Sequence, residues 1–507
     1  MRTTKFFLTT IFLIALALRL WWFPQNTYFG YDQARDAYES QVIYKKGDLK
    51  IIGPSTSLEG LYHGPFYWYL IGPAYIVGGG NPTIPAFLLS VINSTGVFLI
   101  FLIGKKISGK KVGLIAAFLY AVSYEQTQYS LYFGNPAPAV VSIMLFYLGF
   151  LYFGLERKWW GLLLAVIGLG LSIQFQFFLV YLSIISLVLS MIFIKNFKTF
   201  NLKRTLLLVL TGVLSFSSFI LADIKYGARS FRILLNIAQG EGAAKNFAKL
   251  WSNYLDRLEI HFGHNIFSID GHGPRLLIAI LVIASVFLWV KRKKPRPVLA
   301  VLLLWVFSSA LLIFLGGHNL YYSNIGISAG ILLLTSFLMV NLLKNKLVIT
   351  LILIGISLSS WKLIQKNSVG PINDIYVQEG MLLKEEKAIL EYIYKTSNGK
   401  PIVVAASTMP LKINTTWSYL FEWYGKSKYG YLPYWAGEAA PGYPGNLTPW
   451  RSQVQDYTMF AIVEPSRGVR QAFIDGFLKE QEQYGKVIEE KQFGEKPGTH
   501  FLVQRRR

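Results

Sequence analysis

The sequence predicts a polytopic α-helical membrane protein with a small α/β domain at its C-terminal end. Three observations carry that class. Of 507 residues, 53% are hydrophobic and 15% charged, with mean hydropathy +0.40, well outside the range of a soluble globular chain. About eleven apolar runs approach the roughly 20 residues that cross about 30 Å of hydrocarbon. The Lys and Arg residues behind the formal charge of +23 cluster in short segments between those runs, as the positive-inside rule expects. The charge therefore reports topology and not a nucleic-acid partner. With no cysteine there is no disulfide framework, thiol nucleophile or thiolate metal site.

In order, the expected spans cover residues 5–23, 82–103, 112–124, 136–154, 159–174, 177–194, 205–221, 274–290, 297–315, 321–343 and 347–363. The first begins like a signal peptide but ends in Arg19-Leu20-Trp21-Trp22-Phe23 without a small-residue cleavage site, so an uncleaved span is expected. Basic clusters at 105–111, 157–158, 195–204, 291–296 and 344–346 occupy every second connection, which makes those connections and the N-terminus cytoplasmic. The expected location is the plasma (inner) membrane, with the loop 24–81 and the C-terminal segment outside. Residues 1–363 form the membrane domain and 364–507 the outer domain. In the latter, a helix at 384–395, a strand at 402–407, an aromatic helix at 417–424, a strand at 458–463, a helix at 470–484 and strands near 487 and 501 alternate as in a small α/β unit.

Under this topology Arg19, Glu125, Gln126, Gln174, Gln176, Asp223 and His318 collect at the outer ends of their helices. Ionisable groups are costly in hydrocarbon, so a one-sided collection marks a functional site, or residues that merely reach the headgroups.

Three clusters can carry chemistry. On a helix starting with Asp32 as N-cap, Asp32, Arg35, Asp36 and Glu39 lie at i, i+3, i+4 and i+7 on one face. Such carboxylates suit a general base with a tuning partner; they equally suit a cap with surface ion pairs. In the second cluster, Glu59, Tyr62, His63 and Tyr67 stand among glycines and aromatics that can hold a sugar face or prenyl chain, or form an interfacial aromatic belt, with 62–77 read as a re-entrant helix. The third is His318, Tyr321 and Tyr322 at a Gly-Gly turn. With Lys225, Arg229 and Arg232 it offers donors for a phosphate. There is no P-loop, dinucleotide fingerprint or His-Glu-x-x-His helix. Asp32, Asp36 and Glu59 form no dedicated cage by spacing, which leaves a divalent cation, Mg²⁺ or Mn²⁺, open.

With these residues in place, the chain resembles the GT-C superfamily of membrane glycosyltransferases, in the branch of protein O-mannosyltransferases and aminoarabinose transferases. Asp32-Gln33-Ala34-Arg35 stands where those enzymes carry an Asp-Glu-Ala-Arg-like motif. Gly64-Pro65-Phe66-Tyr67-Trp68-Tyr69 looks like their Pro-Pro-Leu-Tyr-Tyr-Trp stretch, and 318–322 like a later His-Tyr segment. The resemblance covers about 5–343. It implies a GT-C-like membrane domain and a polyprenyl-phosphate sugar donor. It further implies a lipid, glycan or protein acceptor on the outer face, inversion at the anomeric carbon, and Asp32 as base. Gln33 replaces the family's second acidic residue, and its later acidic position appears as His63 or shifts to Glu59. Glu422-Trp423-Tyr424-Gly425 is distantly similar to the peptide-binding motif of oligosaccharyltransferases, without the tandem Trp-Trp-Asp. The rival readings are a lipid-linked glycan flippase, which should show inverted repeats and broken spans, and an envelope assembly or sensor protein.

Overall fold

The computed structural model describes residues 2–56, 60–228, 232–233, 235, 247–268, 273–291, 296–315, 321–366, 378–451, 456–465, 469–494 and 498–507. Glu59, Arg229 and His318 lie outside the described residues.

The membrane domain runs α1 (Arg2–Arg19), α2 (Tyr31–Lys46), α3 (Phe66–Val77), α4 (Thr83–Ser108), α5 (Lys110–Val122), α6 (Tyr124–Tyr132), α7 (Pro136–Glu156), α8 (Trp160–Phe175), α9 (Leu182–Ile192), α10 (Leu202–Ser215), α11 (Ser217–Lys225), α12 (Phe247–Asn265), α13 (Gly273–Lys291), α14 (Arg296–Phe307), α15 (Ile327–Leu342) and α16 (Lys346–Lys366). Among the described residues, five helices are long and apolar enough to cross a membrane, and six if α10 and α11, bent by 62°, form one broken span. The runs expected at 112–124, 159–174 and 321–343 are helices of 13, 16 and 16 residues, shorter than a full crossing at 1.5 Å per residue. Residues 125–135, read as a connection, contain a helix, because Ser123 caps α6 by accepting the Gln126 N–H.

The bundle is tightest where small residues let backbones meet. A Cβ on Gly149 of α7 would stand 2.4 Å from the Ala165 nitrogen of α8, so a larger residue would force the pair apart.

The C-terminal domain contains α17 (Leu383–Ser397), β1 (Ile402–Ala406), α18 (Thr415–Leu420, prolonged by a π turn to Gly425), α19 (Lys426–Tyr429), β2 (Tyr434–Trp435), β3 (Thr458–Val463), α20 (Gln471–Glu480), β4 (Val487–Phe493) and β5 (Phe501–Arg506). These elements follow the sequence reading closely, with the short β2 added. The sheet order is β2-β1-β3-β5-β4, with β1 parallel to β2 and β3, and β5 antiparallel to β3 and β4. Strands β1 and β3 are buried along their whole length.

The domain is sewn to the first loop. Phe29 donates its N–H to the Met381 carbonyl at 3.0 Å, and Leu383 donates to Thr27 at 2.9 Å, around a Tyr28–Leu382 bridge. The aromatic helix docks behind α2, where Tyr38 Oη donates to Glu422 at 2.8 Å and Tyr419 Oη to the Gly80 carbonyl at 2.6 Å. Glu422 and Tyr424, which lie in the stretch similar to a peptide-binding motif, are thus engaged in packing the domain: Tyr424 Oη donates to Glu391 at 2.5 Å.

Candidate active site

Where α2 begins, Gly30 is the N-cap and Asp32 is the second helical residue, within the first turn, which corrects the expectation that Asp32 caps the helix. The cap is made by Gln33, whose Oε1 accepts the Gly30 N–H at 3.2 Å. The same side chain reaches outward: Gln33 Nε2 donates to the Tyr132 carbonyl at 3.0 Å. The neighbouring carbonyls at the C-terminus of α6 are met by the Tyr28 N–H, at Leu131, and by Tyr67 Oη, at Phe133. Three first-loop groups therefore satisfy consecutive carbonyls that a helix end leaves without partners. This fixes Tyr132 against α2, and it makes Gln33 a double clamp.

The one-face arrangement of Asp32, Arg35 and Asp36 is realised as a linked set. Arg35 donates from Nη1 to Asp32 Oδ1 at 2.7 Å, and from Nε and Nη2 to Asp36 Oδ1 at 3.0 and 2.9 Å. Trp68 Nε1 adds a fourth bond, to Asp36 Oδ1 at 2.8 Å. The two carboxylates differ in setting. The Asp32 side chain is 50% exposed, and its Oδ2 has only a long 3.4 Å contact with Tyr132 Oη. The Asp36 side chain is 7% exposed, and burial pushes its carboxyl up to about 6 against the opposing pull of Arg35. Glu39, the fourth residue of the face, pairs instead with Lys50.

These groups line a cavity of about 480 Å³ with Tyr31, His63, Tyr132, Asn135, Gln176 and Tyr322. His63 enters on a tight segment: its N–H and C=O pair with Pro54 and Gly53, and a Cβ on Gly64 would stand 1.7 Å from Gln174 Oε1. The Phe177 N–H donates to His63 Nδ1 at 2.9 Å, which leaves the proton on Nε2. Burial, reinforced by Arg35, lowers its pKa to about 3, so His63 is a neutral donor and carries no charge at physiological pH.

The other candidate residues divide. Tyr62 shares a smaller cavity of about 230 Å³ with His63 and Asp223, adjoining the first through His63. Lys225 ends α11 with its ammonium over the Tyr226 ring, beside that smaller cavity. Tyr67 is buried and outside the cavity wall, spent on the α6 cap. Tyr321 is buried too, stacked on His261 at 4.1 Å with its hydroxyl 2.9 Å from His264 Nδ1. Beneath the cavity, Arg19 donates to Asn93 at 2.6 Å and Asn93 to Gln126, while Glu125 accepts from Tyr129 and lies 3.1 Å from His261. Sequence reasoning missed Tyr28, Tyr31, Tyr132 and Gln378 on the wall; only their nearness to the acidic helix and the aromatic clusters could have signalled the first three.

Residues 62–221 match the family model of dolichyl-phosphate-mannose-protein mannosyltransferases. Among solved structures, ArnT from Cupriavidus metallidurans bound to undecaprenyl phosphate superposes with TM-score 0.53 at 11% identity, covering 98% of this chain and 97% of that one. At that identity the likeness is one of fold, shared along nearly the whole of both chains. The apo oligosaccharyltransferase of Archaeoglobus fulgidus matches at TM-score 0.45 and 16% identity over 79% of this chain, which spans 62% of its length. No curated protein matches by sequence. The family match begins at Tyr62 and takes in His63 and α6, while the Asp32–Arg35–Asp36 set lies ahead of it.

Do the residues suit a metal? Arg35 occupies the space between the two carboxylates and takes the inner oxygen of each. Among the described residues no three His, Asp or Glu side chains converge. The set fits a guanidinium better than a divalent cation.

Proposed function

We propose that the chain is an inverting glycosyltransferase that moves a sugar from a polyprenyl phosphate to an acceptor on the outer face of the plasma membrane. The observation that carries this reading is the Asp32–Arg35–Asp36 set on the wall of a cavity that a neutral His63 also lines. Asp32 Oδ2, exposed and weakly engaged, takes the proton of an acceptor hydroxyl. The acceptor oxygen attacks the anomeric carbon, and the bond to phosphate breaks on the opposite face with its electron pair leaving on the phosphate. Asp36 holds Arg35 and so aims Asp32. Arg35 together with Lys225, Arg229 and His318 offsets the charge of the departing phosphate, and His63 Nε2–H with Tyr62 and Tyr322 orients the sugar. The basic clusters between spans support a cytoplasmic N-terminus and an outer C-terminal domain.

The test is turnover of a panel of labelled polyprenyl-phosphate sugars by purified protein in lipid, wild type beside Asp32→Asn. Loss of about 10²- to 10⁴-fold in transfer or donor hydrolysis, at unchanged expression and thermal stability, is expected for a general base. Turnover retained in the variant removes Asp32 from that role. Donor bound but never turned over favours a flippase.

A further inference from the structure

The C-terminal domain has a crevice of its own, about 890 Å³ in volume, at the carboxyl ends of β1, β2 and β3. Open α/β sheets take their ligands there, because the connections leaving parallel strands diverge and leave room. Its walls are the turns after β1 and β2, the Glu464–Pro465 step after β3, and one side of α20.

Several features point to an occupant. Of the five large apolar side chains that this domain exposes among its described residues, Leu411 (46%), Tyr443 (44%) and Phe473 (50%) line the crevice; the other two lie on edge strand β4. Gly476 interrupts the middle of α20, where glycine weakens a helix, and nothing lies within 4 Å of where its Cβ would stand. The charged groups on the wall are Lys412 against Glu438 and Glu480, with Glu464 buried at its base, an acidic excess that repels phosphates and carboxylates. Aromatic faces set among carboxylate acceptors suit the apolar ring faces and donating hydroxyls of sugars.

The crevice also leads to the first cavity. Gln378 and Met409 line both, and Tyr443 meets Tyr31 edge-on at 6.3 Å. At the junction Gln378 Nε2 donates to Glu464 Oε2 at 2.9 Å and to the Pro465 carbonyl at 3.3 Å, while Trp417 Nε1 holds Glu464 Oε1 at 2.9 Å. The amide oxygen of Gln378 is left to accept from a ligand passing between the two spaces.

We propose that this crevice binds the non-reacting part of the acceptor, and that this part is a short neutral saccharide whose reacting hydroxyl reaches past Gln378 to Asp32. The assignment of the saccharide as acceptor rests on the glycosyl-transfer reading; its binding in the crevice does not.

The experiment uses the full chain in lipid nanodiscs with neutral tri- and tetrasaccharides of glucose, mannose, galactose and N-acetylglucosamine, read by saturation-transfer NMR. At least one should bind. Gly476→Trp, which fills open space, should weaken it by at least about tenfold, and Phe473→Ala by several-fold through the lost stacking. Thermal stability of both variants is followed in parallel, so a folding defect cannot pass for lost binding. The proposal is overturned if no neutral oligosaccharide binds, if Gly476→Trp binds as wild type does, or if only anionic glycolipid fragments or peptides occupy the crevice. Donor turnover on the wild type is read separately. Saccharide binding without turnover keeps the crevice and removes the transfer reading; turnover without saccharide binding does the reverse.

Discussion

Two buried acidic groups in this molecule are built on opposite principles. Beside the first cavity, Asp36 is buried against Arg35, which it shares with Asp32, and Trp68 completes its bonding. In the C-terminal domain, Glu464 is held only by neutral donors, from Gln378, Trp417 and the Met409 backbone. Both oxygens of the nearby Glu386 are buried without a hydrogen-bond partner in the protein. Burial raises Glu464 to about 7, and raises Glu386 further with the charge of Glu464 adding to it. A guanidinium thus opposes the effect of burial on the first group, while the second, without a cation, answers burial by keeping its protons.

The largest effect should come from breaking the compensated group. Arg35→Gln leaves Asp36 buried without a cation, and should lose about 3 to 5 kcal/mol together with all turnover. Adding Asp36→Asn should restore much of the stability and none of the activity. Thermal unfolding in detergent beside donor turnover checks both, and a single variant as stable as the wild type breaks the comparison.

Next comes the uncompensated group. The folded chain holds a proton on Glu464 that the unfolded chain releases above about 4.5, so this stability is complete at low pH and is lost as pH rises to about 7. The change is on the order of 3 kcal/mol, and Glu464→Gln should flatten that slope in melts taken from pH 5 to 8. An unchanged slope would show that Glu464 stays ionised in the fold.

Glycines sharpen the contrast further. At the first cavity, Gly64→Ala collides with Gln174 and should cost about 1 to 3 kcal/mol. In the crevice, Gly476→Ala meets nothing and should gain about 0.5 to 1 kcal/mol from helix propensity. Opposite signs in the two melts would uphold the contrast; a destabilised Gly476→Ala would mean that α20 packs more closely than its open space implies.

How much of this was readable beforehand varies with the kind of signal. The alternation of the C-terminal domain was legible because its helices and strands have distinct periods, and β3 begins and ends where the sequence places it. The two-residue β2 and the four-residue α19, too short for any pattern, escaped. Span number was less legible, since an apolar run does not say whether it crosses in one helix or breaks, as residues 205–225 do between α10 and α11. Asp32, Arg35 and Asp36 were legible from spacing alone. The unequal exposure of the two aspartates was not, because Trp68 comes from another helix. Likewise His63 reads as a group able to carry charge until burial and the Phe177 N–H set its state. Tyr67 shows the opposite failure: a family-like motif position turned out to cap a helix.

The bridge between residues 27–29 and 381–383 has a bearing on how the protein is made. The loop around Tyr28 finds its partner only after some 350 further residues have been synthesised. Until then Tyr28 and the start of α2 lack one wall. A chain stopped before residue 381 therefore lacks the bridge that walls the start of α2.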